Sequence, residues 1–494
     1  MITCDMARRN NLPKYEYLYR RIRHDVRAGL LAADERLPSK RALADHLSVS
    51  VSTVEQAYNV LVGEGYVIAR PGSGFYVARH RATGVYDFTT PTAPAIASAP
   101  ADGDARDASA LAENQADARQ AAPVRDTFDL KANRSSMDLF PAETWARIMR
   151  RKLSERDSAL FETVPFNGLA ELRRAIATQL YEFRGMLVSP DRIVIGAGTE
   201  YLYGRLLQLF GASTIMAIGD PGYKKLADIS NTAGVLWSHV PLDDEGIRID
   251  LLDSSRAEVV HVSPANLFPM GVAMSDARCE QLLAWLSADS RRYLIEDDYD
   301  SEFSFGTRLR PPLFTQDDSD SIIYLNTFSK TLVPSIRISY MVLPDTLMSL
   351  YRSQLSFFSC TVSSFEQLAL AEFMSGGYFE RHINRLKRHF RRQRSAAMEA
   401  IGSSPLMRIA QVHPAEVGTH LLLDVRTGLS DDQVRQAAQD RGMSLAMLSD
   451  YCARPSARYA HRVVINYASI DASRMTCAID LLADVFRRDI DRTT

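Results

Sequence analysis

Two polar motifs, each directly after a short apolar run, constrain the fold more than any other feature of the sequence. The runs at residues 293–295 and 322–325 predict buried strands. The first run leads to Asp297 and Tyr299, which alternation along a strand would place on one face. The second leads to Lys330. A carboxylate, a phenol and an amine at strand ends predict a ligand site at one edge of an α/β sheet.

The two motifs are long, IEDDYDSEF from Ile295 and TFSKTLVPSIR from Thr327. The second resembles the cofactor-lysine signature of fold-type I aminotransferases, and the pair resembles the MocR-type subfamily of GntR regulators. This resemblance implies pyridoxal 5′-phosphate (PLP) as cofactor. Lys330 would form the Schiff base with PLP, Asp297 would hold the ring nitrogen and Tyr299 would bind the phenolic oxygen.

Neighbouring residues acquire roles from the same resemblance. The segment GAGTE at 196–200 follows a strand and opens a helix, whose first amides can bind a phosphate. Asn266, in the loop SPANLFPMG, would contact the oxygen side of the ring. Asp298 and Asp300 alternate to the opposite face and are expected to have structural partners. The residues assigned to the phosphate are Gly198, Thr199, Glu200, Thr327 and Arg337.

The substrate side departs from the transaminase pattern. Transaminases use a cation, usually arginine, to orient the substrate carboxylate. In the strand RVVINY, Val464 occupies the arginine position and Arg462 lies two residues away on the same face. Tyr223 would border the substrate space, and Lys225 stands where some MocR-type regulators have a second arginine. Both departures weaken the expectation of amino-acid turnover, although Arg462 could still serve.

The first eighty residues predict a winged helix-turn-helix. A helical stripe from Tyr15 to Leu31 precedes a short helix through Leu47, and a tight turn leads to a second helix from about Ser52. Two strands then flank a Pro-Gly-Ser-Gly turn. The run from Arg36 to Val77 resembles the GntR-type winged helix. The residues expected to face double-stranded DNA are Arg41, Ser52, Thr53, Arg70, Gly72, Ser73 and Gly74.

One position departs from the GntR pattern, which usually has arginine where this chain has Val51. Val51 could contact a thymine methyl group instead. Residues 1–80 contain twelve Lys and Arg against eight Asp and Glu, whereas the whole chain has a net charge of −2. This local excess of positive charge favours DNA binding over a winged helix used for protein contacts.

The rest of the chain predicts the domain organisation. Residues 81–127 are rich in Ala, Pro, Asp and Thr and predict a flexible linker. Residues 128–494 alternate helical stretches with apolar strands, which predicts a mainly parallel sheet and, from about Ser403, a smaller α+β domain. The basic helix from Arg381 to Arg394 is interpreted as a solvated face, with a secondary DNA contact as the alternative.

The cysteine pattern and the lack of long apolar runs predict the cellular compartment of the protein. The chain has 494 residues and five scattered cysteines without a CxxC pair, which indicates reduced thiols and no metal site. No signal peptide or apolar run of membrane length occurs, so we expect a cytoplasmic protein that does not contact membranes.

The favoured hypothesis is a homodimeric transcription regulator that binds promoter repeats and senses PLP or an amine or amino acid. Control of vitamin B6 genes would fit PLP as the signal. The alternative is an active PLP-dependent aminotransferase with an accessory DNA-binding head. A third hypothesis, in which the large domain is only a dimerisation scaffold, does not account for Asp297, Tyr299, Lys330 and Arg337 together.

Overall fold

The computed structural model describes residues 13–27, 30–32, 34–47, 49–63, 66–70, 74–78, 128–131, 139–155, 160–305, 310–414 and 417–492. The chain divides into two compact units, Met1–Gln120 and Ala121–Thr494. The predicted linker at 81–127, together with Gly72 and Ser73, lies outside the described residues.

The first unit has the element order of a winged helix-turn-helix, as predicted. Its elements are α1 (Lys14–Arg27), α2 (Lys40–Leu47), α3 (Val51–Gly63), β1 (Val67–Arg70) and β2 (Gly74–Val77). The strands pair antiparallel, with Val67 opposite Val77. Leu18, Leu43 and Tyr58 are fully buried where the three helices meet, and the Tyr58 hydroxyl donates to the carbonyl of Pro38 at 2.8 Å.

Short polar side chains begin the two helices of the helix-turn-helix. The backbone N–H of Ala42 donates to Oγ of Ser39 at 3.2 Å, and that of Thr53 donates to Oγ of Ser50 at 3.2 Å. Side-chain acceptors of this kind satisfy the free N–H groups of a first helical turn. Because Ser50 supplies the cap, α3 starts one residue before the predicted Ser52 and includes Val51, whose side chain is 43% exposed.

An eight-stranded mixed sheet forms the centre of the second unit. Its order is β4-β11-β10-β9-β8-β5-β6-β7. The strands from β10 through β6 run parallel, whereas β11 is antiparallel to β10 and β4 and β7 is antiparallel to β6. The strands are β4 (Ile193–Gly196), β5 (Ile215–Asp220), β6 (Leu236–Asp243), β7 (Gly246–Ile247), β8 (Val259–Val262), β9 (Tyr293–Asp297), β10 (Ile322–Thr327) and β11 (Ser339–Val342).

Smaller sheets complete the second unit. The strands β12, β13, β16 and β15 form an antiparallel sheet in that order, and β14 pairs parallel with β3. The small domain expected from about Ser403 thus contains an antiparallel sheet. These strands are β3 (Phe128–Asp129), β12 (Ala410–Pro414), β13 (His420–Val425), β14 (Met443–Ser444), β15 (Ala446–Met447) and β16 (Arg462–Asn466).

Helices connect the strands of the second unit. Within the described residues, no helix combines the length and the apolar character needed to cross a membrane. The helices are α4 (Ala142–Glu155), α5 (Ala170–Gln179), α6 (Thr199–Phe210), α7 (Lys225–Thr232), α8 (Ile249–Ser254), α9 (Asp276–Ser287), α10 (Phe328–Thr331), α11 (Asp345–Leu355), α12 (Ser364–Ser375), α13 (Tyr378–Ser403), α14 (Asp431–Asp440), α15 (Met475–Val485) and α16 (Arg487–Asp491).

The basic stretch predicted on one helix belongs to α13. Ile383, Leu386 and Phe390 are buried on its apolar side, while Arg388 and Arg391 are exposed. This division is that of an amphipathic helix packed on a core, so the interpretation as a solvated basic face holds.

Candidate functional site

Lys330 lies at the carboxyl end of β10, beside the end of β9. Strand β10 ends at Thr327, whose Oγ1 accepts a hydrogen bond from the Ser329 N–H at 3.1 Å and caps the single turn α10. Leu325 on β10 is in register with Asp297 on β9. The predicted amine and the predicted carboxylate therefore follow neighbouring parallel strands and emerge at the same sheet edge, where ligands of α/β proteins bind.

The charge of Lys330 is shaped by burial and by two carboxylates. Burial lowers the pKa of Lys330, while Asp300 and Asp297 act in the opposite direction. Asp300 is only 3% exposed, and burial raises its pKa although Lys330 opposes this. A buried lysine with a lowered pKa more readily supplies the neutral amine that reacts with a carbonyl.

The expectation that Asp300 faces away from the site is wrong. Strand β9 ends at Asp297, so strict alternation of side chains does not continue as far as Asp300. Its Oδ2 lies 3.5 Å from Nδ2 of Asn266, and its charge acts on Lys330. Asp300 is therefore part of the site.

Asp298 has the structural partners that were predicted. Its carboxylate lies 2.8 Å from Nη2 of Arg184 and accepts hydrogen bonds from the Tyr324 hydroxyl at 2.6 Å and from the Ser301 hydroxyl at 2.9 Å. The Asp298 and Arg184 side chains are 2% and 9% exposed. This pair lies within the protein and has a structural role.

The two oxygens of Asp297 have different surroundings. Oδ2 lies 3.5 Å from Nε2 of His261, which makes no hydrogen bond within the described residues, and the His261 ring packs edge-on against Tyr203 at 5.7 Å. Oδ1 is buried and has no hydrogen-bond partner in the described part of the chain. Because a buried carboxylate oxygen is costly without a donor, Asp297 is suited to receive a proton-bearing ring nitrogen.

Tyr299 and Asn266 lie next to each other on the other side of the site. The Tyr299 hydroxyl donates to the backbone carbonyl of Asn266 at 3.3 Å. Asn266 is 2% exposed, and its Oδ1 is another buried acceptor that the described residues leave without a donor. The structure thus brings together the residues predicted for the ring, namely Asp297, Tyr299, Asn266 and Lys330.

The predicted phosphate residues meet at the start of α6. Gly198 precedes this helix with φ 95° and ψ 163°. The Arg337 guanidinium packs against Gly198 and donates to Oε2 of Glu200 at 2.6 Å. The first N–H groups of a helix and a guanidinium are both good donors to a phosphate.

Two hydroxyls near Lys330 differ in whether they already have hydrogen-bond partners. Oγ1 of Thr327 accepts from the Ser339 hydroxyl at 2.8 Å in addition to the Ser329 N–H. Oγ of Ser329 is buried and finds no partner among the residues that the structure describes. The hydroxyl of Ser329 is therefore free to bond to a ligand, and the role of Thr327 stays a prediction.

These observations test whether PLP fits. A half-buried amine, an open carboxylate oxygen, a phenol and a helix N-terminus with an arginine lie around one sheet edge. Each matches a group of PLP, respectively its aldehyde, ring nitrogen, phenolic oxygen and phosphate. The residues present fit the cofactor.

The residues predicted for the substrate side are already paired. Nζ of Lys225 donates to Oε1 of Glu200 at 2.7 Å, and the Tyr223 side chain at the rim is 43% exposed. Nε of Arg462 donates to Oδ2 of Asp424 at 3.1 Å. Their roles toward a substrate stay predictions.

The described residues predicted to face DNA lie on the two helices and the wing. Arg41 and Ser52 are exposed, and Thr53 is half-buried. Oγ of Ser50 lies 2.9 Å from Oγ of Ser52 and 2.8 Å from Oγ1 of Thr53.

The wing residues have partners of their own. Arg70, opposite Gly74 in the β1–β2 ladder, lies 3.6 Å from Asp34 and 4.4 Å from the centre of the Tyr76 ring. Their DNA contacts, like those of the two helices, stay predictions.

Sequence reasoning missed three residues besides Ser329 and Asp300. His261 stands among valines in the short apolar strand β8, and a polar residue in such a strand was an available signal. Tyr203 contacts His261 from α6 and had no comparable signal. His420 is buried at the start of β13, and its proximity to Lys330, which acts on its pKa, depends on tertiary structure.

Two family models match the chain. The model for bacterial regulatory proteins of the gntR family matches residues 14–77, and the model for aminotransferase class I and II matches residues 125–479.

Several relatives align with most of the chain. The HTH-type transcriptional regulator YdeL of Bacillus subtilis is 32% identical over 448 residues, covering 91% of this chain and 92% of the relative. The probable rhizopine catabolism regulatory protein MocR of Rhizobium meliloti is 29% identical and covers 96% and 94%. The pyridoxine biosynthesis regulator PdxR of Corynebacterium glutamicum is 27% identical and covers 94% of both chains.

Among solved structures, the kynurenine aminotransferase of Pyrococcus horikoshii has a TM-score of 0.66 at 22% identity, covering 74% of this chain and 92% of the other. The multiple substrate aminotransferase of Thermococcus profundus has a TM-score of 0.67 at 22% identity, covering 75% and 93%. These similarities show the fold of the second unit.

Proposed function

This chain belongs to the MocR-type subfamily of gntR regulators, which joins a gntR-family DNA-binding domain to an aminotransferase class I and II domain, and we propose that it regulates transcription through a PLP-dependent sensor. PLP is the cofactor implied by the aminotransferase family. One observation carries the proposal: Lys330 follows β10 at the sheet edge where β9 ends in Asp297, and the carboxylates of Asp297 and Asp300 act on its charge.

The side chains of this site bind and orient. Nζ of Lys330, with its pKa lowered by burial, would be the nucleophile that holds PLP. Asp297, 3.5 Å from His261, would hold the ring nitrogen in its protonated form, and Tyr299 would bind the phenolic oxygen. When bound, PLP supplies an electrophilic carbon and an electron sink for amines.

The DNA-binding unit reads the promoter. The first turn of α3 enters the major groove and exposes Val51 and Ser52 there, while Arg41 binds the phosphate backbone. Fold-type I sites are built at dimer interfaces, so the regulator is a homodimer whose two winged helices read two half-sites.

The signal is PLP itself or an amine that reaches the PLP site. The name of PdxR ties that relative to pyridoxine biosynthesis, which favours vitamin B6 genes as targets here.

A second function, aminotransferase turnover, is favoured by the complete set of Lys330, Asp297, Tyr299 and Arg337. Turnover converts an amino acid to a keto acid and leaves pyridoxamine phosphate, so the two functions predict different products. Release of one keto acid for each amino acid consumed would establish aminotransferase activity. Binding of the amino acid without release of a keto acid would identify the domain as a sensor.

The test is DNA binding with and without PLP. Full-length protein is titrated onto its own promoter region, and affinity and footprint are compared in both states. We expect PLP to change one or both for the native protein and for Lys224→Ala, an exposed lysine, and to change neither for Lys330→Ala. An equal response of Lys330→Ala and the native protein, or no response to PLP in any of them, refutes the proposal.

A further inference from the structure

The cations at the rim of the PLP site share one carboxylate. Glu200 accepts from Nζ of Lys225 at 2.7 Å through one oxygen and from Nη2 of Arg337 at 2.6 Å through the other. These hydrogen bonds lower the pKa of Glu200, so it stays ionised. With Arg337 directed to the cofactor phosphate, Lys225 is left with Glu200 as its counter-ion.

The guanidinium of Arg462 is paired within its own sheet. Arg462 is opposite Asp424 in the β13–β16 ladder and pairs with it at 3.1 Å. At the other end of that ladder, Asn466 is opposite His420, whose pKa is affected by Lys330. Arg462 and Asn466 are four positions apart along the strand, about 13 Å.

Two small-domain side chains expected on the ligand side, Val464 and His420, carry no positive charge. Val464, which stands where transaminases have their arginine, is 4% exposed and packs in an apolar cluster with Leu422 and Ala446. Burial lowers the pKa of His420 to about 4, so its ring is neutral at physiological pH. Its Nε2 lies 3.3 Å from the carbonyl of Pro269, and its ring packs edge-on against Phe268 at 5.4 Å.

The charges next to Lys330 are negative. Asp297 and Asp300 both act on it, and in each residue Oδ1 is buried with no donor from the described chain. The ring nitrogen of PLP would satisfy Asp297, which leaves Asp300 as an acceptor beside the ligand space. Gly418 closes over it, since a β-carbon there would lie 3.0 Å from Oδ2 of Asp300.

We propose that this site admits primary amines that lack a carboxylate and disfavours α-amino acids, with Asp300 as the acceptor for a donor group of the amine. The proposal rests on the proposed function, because the ligand enters a site that holds PLP. An incoming carboxylate would be repelled by Asp300 while Arg462 is held by Asp424, whereas an ammonium group is attracted to Asp300.

Matched ligand pairs test this inference on the full-length, PLP-loaded protein. The pairs are cadaverine and lysine, tyramine and tyrosine, and ethanolamine and serine, which differ only in the carboxylate. The midpoint of the change in the visible PLP band is measured for each compound, together with the shift in the thermal unfolding midpoint. We expect at least one amine to act at a concentration at least tenfold below that of its amino acid.

Each other outcome has a defined meaning. An amino acid that acts at the same or a lower concentration than its amine overturns the inference. Silence of all six compounds also overturns it and leaves PLP itself as the signal of the proposed function. A protein with no PLP band before any addition refutes the proposed function, and this inference with it.

Two variants assign the discrimination to residues. Asp300→Asn removes the charge at nearly constant shape, so the ratio of the two midpoints in a responding pair should fall at least threefold. Arg462→Ala should leave both midpoints unchanged. An unchanged ratio in Asp300→Asn, or a weaker amino-acid response in Arg462→Ala, contradicts the roles given to these residues.

Discussion

Gly198 leaves open the space that the guanidinium of Arg337 fills, since a β-carbon on Gly198 would overlap Nη2 and Cζ of Arg337. The glycine has φ 95° and ψ 163°, a backbone region used almost only by glycine. Its conformation and its lack of a side chain together bring the arginine to the first amides of α6. The proposed phosphate site therefore depends on a residue that contributes no side chain.

Gly198→Ala is expected to weaken PLP binding at least tenfold. The new methyl group would displace Arg337 and add backbone strain of about 1–3 kcal/mol. Affinity is measured by titrating PLP and following the visible band.

The control is Gly211→Ala at the other end of the same helix. Gly211 has nearly the same backbone, φ 78° and ψ 168°, but nothing lies within 4 Å of a β-carbon there. It should lose similar stability and keep its PLP affinity. Equal affinities in the two variants would show that Gly198 and Arg337 do not form the phosphate site.

Asp297→Asn is expected to reduce PLP affinity by about 1.5–3 kcal/mol, roughly 10- to 150-fold, because a neutral amide cannot match a carboxylate for a protonated ring nitrogen. The unfolding temperature without PLP should change little, since Oδ1 of Asp297 has no donor in the described structure. Titration with PLP and thermal unfolding without it check both parts. An unchanged PLP affinity would remove Asp297 from the cofactor site.

Substitution of the adjacent Asp298 should reduce the stability of the protein, in contrast to substitution of Asp297. Asp298→Ala leaves the buried Arg184 without its partner, and loss of one member of a buried ion pair costs about 3–5 kcal/mol. Chemical denaturation should show that loss, while the exposed control Asp318→Ala stays near the native value. A stable Asp298→Ala protein would mean that Arg184 finds other acceptors.

These two neighbours show what sequence could and could not predict. The order of strands and motifs placed Lys330, Asp297 and Tyr299 correctly at one sheet edge, because side chains at the ends of parallel strands need only strand order to converge. Alternation failed at Asp300 because β9 ends at Asp297. The pairing of Arg462 with Asp424 depends on the register of β13 and β16, which the sequence does not specify.

Glu302→Gln should flatten the dependence of stability on pH. Burial raises the pKa of Glu302 to about 7, above its value in the unfolded chain. A raised pKa in the folded state contributes stability at low pH that is lost as pH rises toward 7. Glutamine stays neutral, so the variant should match the native protein at pH 5 and exceed it by about 1–2 kcal/mol at pH 8. Parallel pH curves of unfolding free energy would contradict this.

Arg41→Ala is expected to weaken DNA binding by a similar factor on every sequence. Arg41 is exposed on α2, and a phosphate contact contributes affinity without base preference. The slope of log affinity against log salt should fall by about 1. Arg174→Ala, an exposed arginine in the other unit, should leave the slope unchanged. If both variants keep the native slope, α2 does not contact the DNA backbone.

The most direct measurement of the central claim locates the covalent attachment of PLP. Full-length protein is loaded with PLP, reduced with borohydride, digested and analysed by mass spectrometry, with Lys330→Ala treated in parallel. We predict that the phosphopyridoxyl group is found on the peptide containing Lys330 and that the variant carries none at stoichiometric level. Stoichiometric label on another lysine, or none on the native protein, would contradict the assignment of Lys330 and of the sensor built around it.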